Sequence, residues 1–149
     1  MIKKLLLTIL FTIALSVSAN ANEMISIEKY LSDKDPSDHA ATTYSLIRCS
    51  GLEMFFAAIF QEKHPEDFEN SKRMSAEFVL AASKLDSTIS KRKFEESFKN
   101  LIQMSQEIKD NYIKDGKKNW SKTGSYYLDS YIDDDRLLCG NLYKFYIQK

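Results

Sequence analysis

The chain has 149 residues, and its 21 basic residues are balanced by 21 acidic ones. This balance gives no bulk attraction to nucleic acid or to an anionic membrane, so we expect no nucleic-acid partner. Four glycines and two prolines are too few for the turns of an all-β fold or for a disordered linker. The composition therefore indicates one helical domain, which is long enough for a real hydrophobic core.

The N-terminal segment has the features of a signal peptide. Lys3 and Lys4 precede an apolar run over residues 5–15 that only threonines interrupt. Ala19 and Ala21 then supply small residues at the two positions that signal peptidase reads. The apolar run is shorter than the roughly 20 residues of a membrane span, and the alternative is an uncleaved anchor.

Cleavage after residue 21 would leave residues 22–149 as a single domain with a formal charge of −2, because residues 1–21 contain two lysines and no acid. We expect this domain to be periplasmic or secreted, with no stable membrane insertion after cleavage. Frequent Lys, Ile, Ser and Asn are typical of bacteria with AT-rich genomes. The expected setting is therefore a bacterial envelope.

The apolar pattern predicts a bundle of four to five helices after a lead-in over residues 22–34, where a short helical turn packs on the body. The first long helix follows Asp35, which can cap it, and Pro36, which suits its first position. Gly116 is placed where a helix should end. The predicted elements are helices over 36–63, 65–85, 90–114 and 125–132, a weak break at 86–88, a polar loop over 117–124, and a last helix that Asp133–Asp135 cap and that ends near 147.

The first long helix should be the buried centre of the domain. Only Arg48, Ser50 and Glu53 are strongly polar between Leu46 and Phe60, so the helix is apolar on most sides. A glycine in the middle of such a helix costs about 1 kcal/mol against alanine, which indicates close approach of a neighbouring helix. Strand signals are poor everywhere, and an extended conformation is an alternative only for residues 126–132.

The two cysteines, Cys49 and Cys139, are predicted to form a disulfide between this central helix and the C-terminal helix, since an exported chain with an even cysteine count most often pairs them. Closing a loop of this length is worth roughly 4 kcal/mol on the chain-entropy account. The alternative is two buried free thiols. In an up-down bundle, this pairing also brings Glu53 beside Asp135 or Arg136, and we expect a Glu53–Arg136 ion pair.

No motif in the chain predicts a cofactor, a metal or an enzyme. His39 and His64 are far apart and each lies near a helix start, without a zinc-binding spacing. Nucleophile elbows, phosphate loops and haem-attachment motifs do not occur. Glu53 is the one acid inside an apolar run, so burial should raise its pKa, although a structural ion pair is the simpler interpretation.

The candidate binding residues are basic and aromatic and lie near the single tryptophan. Lysines that cluster there could touch anionic groups, although lysine is also common at helix C-termini for electrostatic reasons. Tyrosine-rich surfaces occur at recognition sites, and tyrosines also border small helical cores. The candidates are Trp120, Lys117, Lys118, Tyr126 and Tyr127.

We therefore expect an exported binding or accessory protein whose partner is an envelope or secreted protein. The first alternative is a carrier of a hydrophobic ligand, with a cavity in the bundle near Phe55, Phe56 and Phe60. The second alternative is an enzyme built on carboxylates, which requires a cleft that contains Glu53 and a second acid.

Overall fold

Five helices follow one another in residues 24–61 and 63–148, the part of the chain that the computed structural model describes. No strand occurs in these two ranges, so the predicted all-α class is confirmed. The predicted signal peptide at residues 1–21 lies outside the described residues. Across the same two ranges, none of the helices combines the length and the apolarity needed to cross a bilayer. The helices are α1 (Ile27–Leu31), α2 (His39–Phe60), α3 (Pro65–Ser90), α4 (Phe94–Thr123) and α5 (Tyr131–Tyr146).

Helix α2 is the buried centre of the bundle, as its apolar sequence predicts. It contacts each of the other four helices. Leu46, Ile47, Leu52 and Phe55 have at most 1% of their surface exposed. Because these side chains are directed to several sides of α2, the helix needs packing partners all around it.

The middle of α2 approaches α4 closely at Gly51. A Cβ atom on this glycine would lie 2.6 Å from Cγ2 of Ile108 and 2.9 Å from the carbonyl oxygen of Ser105. Two buried hydroxyls join the helices there, since Ser105 Oγ donates to Ser50 Oγ at 2.7 Å. The same Ser50 Oγ lies 2.9 Å from Ser75 Oγ on α3. The predicted close approach is confirmed, and it explains why glycine is placed in the middle of a helix.

A disulfide between Cys49 and Cys139 joins α2 to α5, with 5.4 Å between the Cα atoms. The predicted pairing is confirmed, and both cysteines are fully buried. Disulfides of this kind persist in oxidising compartments, which fits a protein outside the cytoplasm.

A buried ion pair between Arg48 and Asp135 fixes the lead-in segment, and the sequence analysis did not predict it. Arg48 Nη2 donates to Asp135 Oδ2 and also to Tyr112 Oη at 3.1 Å. Arg48 Nη1 donates to the carbonyl of Ile25 at 2.6 Å, and the backbone N–H of Ile27 donates to Asp135 Oδ1 at 2.6 Å. The predicted short helical turn that packs on the body is therefore confirmed as α1.

Burial and ion pairing act against each other in this network. Burial raises the pKa of the Asp135 carboxyl, and the Arg48 guanidinium opposes that rise. Burial disfavours the charged form of Arg48, but Tyr112 and Asp135 together hold its pKa above the ordinary value. All three side chains are almost completely enclosed, so their role is structural.

The start of α2 differs from the prediction by three residues. Asp38, not Asp35, is the N-cap, and its Oδ1 accepts from the N–H of Ala41 at 3.0 Å. Asp35 instead accepts from the N–H of Ser37 at 2.8 Å and forms a separate turn before the helix. Pro36 lies in that turn and not in the helix. The helix starts after Asp38, which is a second capping residue three positions beyond Asp35.

Helix α3 continues through the predicted break at residues 86–88 and ends at Ser90. Thr88 Oγ1 donates to the carbonyl of Lys84 at 2.8 Å, and Ser90 Oγ donates to that of Asp86 at 2.7 Å. These back-bonds within the helix satisfy the hydroxyls that suggested a break. Lys91 then stops the helix with a φ of 57°.

Helix α4 extends nine residues beyond its predicted end, so the predicted polar loop over 117–124 is wrong. Gly116 lies inside the helix, where a Cβ atom would come within 2.9 Å of the Phe55 ring. The helix ends at Gly124, which has a φ of 76°. Gly116 is thus needed for close packing and Gly124 for the left-handed backbone that ends a helix.

The helix predicted over residues 125–132 is wrong, since turns occupy residues 125–130 and α5 begins at Tyr131. Ser130 is its N-cap and accepts from the N–H of Ile132. Asp133 and Asp134 lie in the first turn, where their charge suits the helix dipole. Asp135 is buried against Arg48, so the predicted cap of three aspartates is wrong.

Candidate functional site

Two clefts open on the surface of α2. The first, which we name the Trp120 groove, lies between α2 and α4 and has a volume of about 540 Å³. The second, the Glu53 cleft, lies between α2, α3 and α5 and has a volume of about 290 Å³. The Trp120 groove is lined by Phe55, Ala58, Ile59, Gln61, Lys63, Ile113, Lys117, Trp120 and Tyr126. The Glu53 cleft is lined by Glu53, Phe56, Phe60, Asp67, Asn70, Ser71, Met74, Tyr127 and Arg136.

The last three turns of α4 build one wall of the Trp120 groove. Ile113, Lys117 and Trp120 are separated by four and three positions, so they share one face of the helix. This wall exists because α4 continues through Gly116, where the missing Cβ lets the Phe55 ring of α2 come close. The groove therefore depends on the helical segment that the sequence analysis interpreted as a loop.

The turn after α4 completes the groove. Gly124 reverses the chain, and the Tyr126 ring then lies 4.7 Å from the Trp120 ring at an interplanar angle of 31°. Asn119 Nδ2 fixes this turn by donating to the carbonyls of Ser125 at 3.0 Å and Leu128 at 2.9 Å. An aromatic pair on a fixed turn is a rigid surface that loses little entropy on binding.

Exposure and charge distinguish the groove from the core beneath it. Trp120 is 51% exposed although its neighbours Ile59 and Ile113 are partly buried apolar residues. Lys63 and Lys117 are exposed, and among the described residues of the lining they are the only charged side chains. The groove thus combines an apolar floor, an aromatic wall and a positive rim.

The five predicted binding residues divide among three places. Trp120, Lys117 and Tyr126 come together in the Trp120 groove. Lys118 lies elsewhere, on a smaller depression beside Tyr131. Tyr127 lines the Glu53 cleft. Successive helical residues are directed about 100° apart, so Lys117 and Lys118 do not share a face.

The Glu53 cleft has a buried carboxylate at its base. Glu53 is 8% exposed, and burial raises its pKa to about 7, with a hydrogen bond to Ser71 acting in the opposite direction. The predicted Glu53–Arg136 ion pair is wrong. Arg136 lines the same cleft, but its Nε donates to Asp133 Oδ1 at 2.9 Å, one turn away on its own helix.

Aromatic rings form the walls of this cleft. The Phe56 and Phe60 rings stack with 5.8 Å between centroids, and Tyr127 meets Phe56 edge to face at 5.4 Å. The Arg136 guanidinium lies over the Tyr127 ring, 5.9 Å from its centroid. The position of Glu53 in an apolar run predicts a buried acid. Only the folded chain shows that α3, α5 and the turn between α4 and α5 surround it.

The residues named for the two alternative functions are also divided between the clefts. Phe55 lines the Trp120 groove, whereas Phe56 and Phe60 line the Glu53 cleft. Glu53 shares its cleft with a second acid, Asp67, as the enzyme alternative requires. Within residues 24–61 and 63–148, no three His, Cys, Asp or Glu side chains are grouped so that they could hold a metal ion.

Comparison with known proteins gives no relative, since no family model, curated protein or solved structure matches the chain. A functional conclusion therefore depends on the chemistry of the two clefts.

Proposed function

We propose that this is an exported binding protein that docks an acidic segment of a partner protein, with an apolar anchor residue, in the Trp120 groove. The observation that carries the proposal is the exposed Trp120, paired with the half-buried Tyr126, above an apolar floor. Among the described residues of the lining, two lysines are the only charged side chains. Tryptophan and tyrosine are the residues that most often dominate the energy of protein interfaces.

Charge decides the kind of partner segment. Lys63 and Lys117 stand at the rim, and the described residues of the lining include no acid. Carboxylates of the partner would meet them, and such rim pairs mainly set specificity and the rate of association. An apolar side chain of the partner would cover the indole and the isoleucines, which supplies the larger part of the affinity.

A binding role fits the groove better than catalysis. General acid–base chemistry requires a positioned acid and base within hydrogen-bonding reach of one substrate. In the part of the Trp120 groove that the structure describes, the lining offers two exposed lysines and no carboxylate. Its features are those of a recognition surface.

The cellular location that we propose is the periplasm or the exterior of a bacterial cell. The signal-peptide features of residues 1–21 and the Cys49–Cys139 disulfide both support export. Expression of the full chain in a bacterium, followed by N-terminal sequencing of the folded product, tests this. We expect the mature protein to begin at Asn22, and an unprocessed cytoplasmic product would contradict export.

Selection from a random peptide library on the oxidised, mature protein tests the binding role. We expect enriched peptides to carry an aromatic residue or leucine beside Asp or Glu. Trp120→Ala should weaken their binding by roughly a hundredfold, which corresponds to the loss of one dominant contact. Leu137→Ala is the matched control, because Leu137 is 59% exposed and does not line the groove.

A charge reversal provides the second arm of the same experiment. Lys117→Glu should weaken the acidic peptides several-fold, and added salt should reduce the difference. Lys144→Glu, on the exposed surface of α5, is the control. Enriched peptides that bind Trp120→Ala as well as the wild type, or that carry mainly basic residues, would refute the proposed role of the groove.

A further inference from the structure

The Glu53 cleft has a chemistry unlike that of the Trp120 groove, and we propose that it binds a small organic cation, a protonated primary amine with an apolar body, with Glu53 as the counter-ion. The site is separate from the groove, so the two proposals stand or fall independently. The inference depends on the buried carboxylate of Glu53, which has no ion-pair partner among the described residues, and on the aromatic walls around it.

The first observation is that Glu53 lacks a positive partner. A buried carboxylate is costly unless a cation or several hydrogen bonds compensate for it. Among the described residues none forms an ion pair with Glu53, and Ser71 is the hydroxyl that stabilises its charged form. Arg136, the cation of the cleft lining, is engaged with Asp133. A ligand ammonium group would supply the charge that the protein does not.

The second observation is the shape and composition of the walls. Phe56, Phe60 and Tyr127 present rings to the space above the carboxylate, and Met74 adds a flexible apolar side chain. Aromatic faces attract ammonium groups and also cover the apolar body of an amine. A volume of about 290 Å³ is near the lower end for ligand pockets, so the ligand is small.

The other charged and titratable groups around Glu53 favour a cation over an anion. From α3, Asp67 adds a negative charge at the rim, where His64 lies 3.9 Å from it. From α5, the positive charge of Arg136 is offset by Asp133. The turn between α4 and α5 contributes the phenol of Tyr127. The cleft therefore has a negative balance whenever Glu53 is ionised.

An amine fits the cleft better than a metal ion. Calcium takes six to eight oxygen ligands and magnesium requires near-octahedral oxygen coordination. The cleft offers Glu53 at its base and Asp67 at its rim. Within residues 24–61 and 63–148, no three His, Cys, Asp or Glu side chains are grouped so that they could hold a metal ion. One ammonium group needs only one carboxylate, and the aromatic rings would contribute nothing to a hydrated metal.

Binding should depend on pH, because the carboxyl must lose its proton to act as a counter-ion. The pKa of Glu53 is about 7 in the folded protein. The ionised fraction thus rises about 30-fold between pH 5.5 and pH 8, and the apparent affinity should rise in proportion. Below pH 7 the bound amine should also displace a proton, so the measured binding enthalpy should vary with the ionisation enthalpy of the buffer.

Calorimetric titration of the oxidised mature protein with hexylamine tests the proposal, with hexanol and hexanoate as matched probes of the same chain length. We expect hexylamine to bind about 30-fold more tightly at pH 8 than at pH 5.5, and more tightly than either matched probe at pH 8. Glu53→Gln, which keeps the shape of the side chain, should weaken hexylamine at least tenfold at pH 8 and abolish the pH dependence. Leu137→Ala should bind as the wild type does.

Chemical-shift mapping on the wild-type protein avoids any dependence on the folding of the variant. Addition of hexylamine should move the resonances of Glu53, Phe56 and Tyr127, and leave those of Trp120 in place. No heat and no shifts at pH 8, equal binding of hexanol, or unchanged binding by a folded Glu53→Gln variant would each overturn the proposal.

Discussion

Replacement of Glu53 by Gln should stabilise the protein at neutral and alkaline pH but not at acidic pH. Burial raises the pKa of Glu53 from an ordinary value of 4.5 to about 7 in the folded protein. The folded protein therefore holds this proton more tightly than the unfolded chain, and ionisation opposes folding. The stabilising contribution is complete below pH 4.5 and is lost as the pH rises to about 7. At about 1.4 kcal/mol per pH unit, the loss amounts to about 3 kcal/mol.

Urea unfolding of the wild type and of Glu53→Gln, followed by circular dichroism at pH 4 and pH 8, measures this effect. We expect similar free energies of unfolding at pH 4, and a variant more stable by about 3 kcal/mol at pH 8. Glu107→Gln, at an exposed position in α4, is the control and should change stability by less than about 0.5 kcal/mol at either pH. A stability difference for Glu53→Gln that is the same at both pH values would refute the reasoning.

Three further variants test the contacts that hold the bundle together. Asp135→Asn should cost about 3–5 kcal/mol in denaturant unfolding, because it leaves Arg48 buried without its counter-ion, and a cost below 1 kcal/mol would contradict a buried ion pair. Replacing Cys49 and Cys139 by serine should lower the free energy of unfolding by roughly 4 kcal/mol. An unchanged thermal unfolding midpoint would argue against a stabilising disulfide. Gly51→Ala should cost about 1–3 kcal/mol despite the better helix propensity, since its Cβ would lie 2.9 Å from a backbone carbonyl of α4; a more stable variant would contradict that contact.

The general fold could be predicted from the sequence because strong local patterns determine it. The stretch between Leu46 and Phe60 is apolar on most sides of α2, so a buried, central position for this helix follows directly. The pairing of Cys49 with Cys139 follows from an even count in a chain with export features. The low glycine and proline content argues against all-β folds and disordered linkers, and so favours an all-α fold.

The ends of the helices were less predictable, because the same residue types serve two purposes. Gly116 and Gly124 both suit a helix end, and only the approach of Phe55 shows that Gly116 is a packing position. Placing the end nine residues early turns one wall of the Trp120 groove into a predicted loop. The candidate residues were thus named correctly in part, while the surface that joins three of them was not foreseen.

Long-range polar contacts were beyond the reach of sequence patterns. Arg48 was recognised as polar within an apolar run, but nothing local pairs it with Asp135, 87 positions away. The aspartate belongs to a run of three, and that run suggested a helix cap. In the folded chain Asp135 pairs with Arg48, and Arg136 pairs with Asp133. The predicted Glu53–Arg136 pair therefore does not form. Glu53 has no ion-pair partner among the described residues, which is the basis of the proposed amine site.

Site-specific photo-cross-linking in living cells tests the central claim, a partner protein in the Trp120 groove, most directly. A photoreactive phenylalanine analogue replaces Gln61, an exposed residue of the groove lining, in one strain and Leu137 in another, and the cross-linked peptides are sequenced by mass spectrometry. We predict one predominant adduct at position 61 alone, on a partner segment that carries Asp or Glu beside an apolar residue. No adduct at position 61, or the same adducts at both positions, would contradict the account.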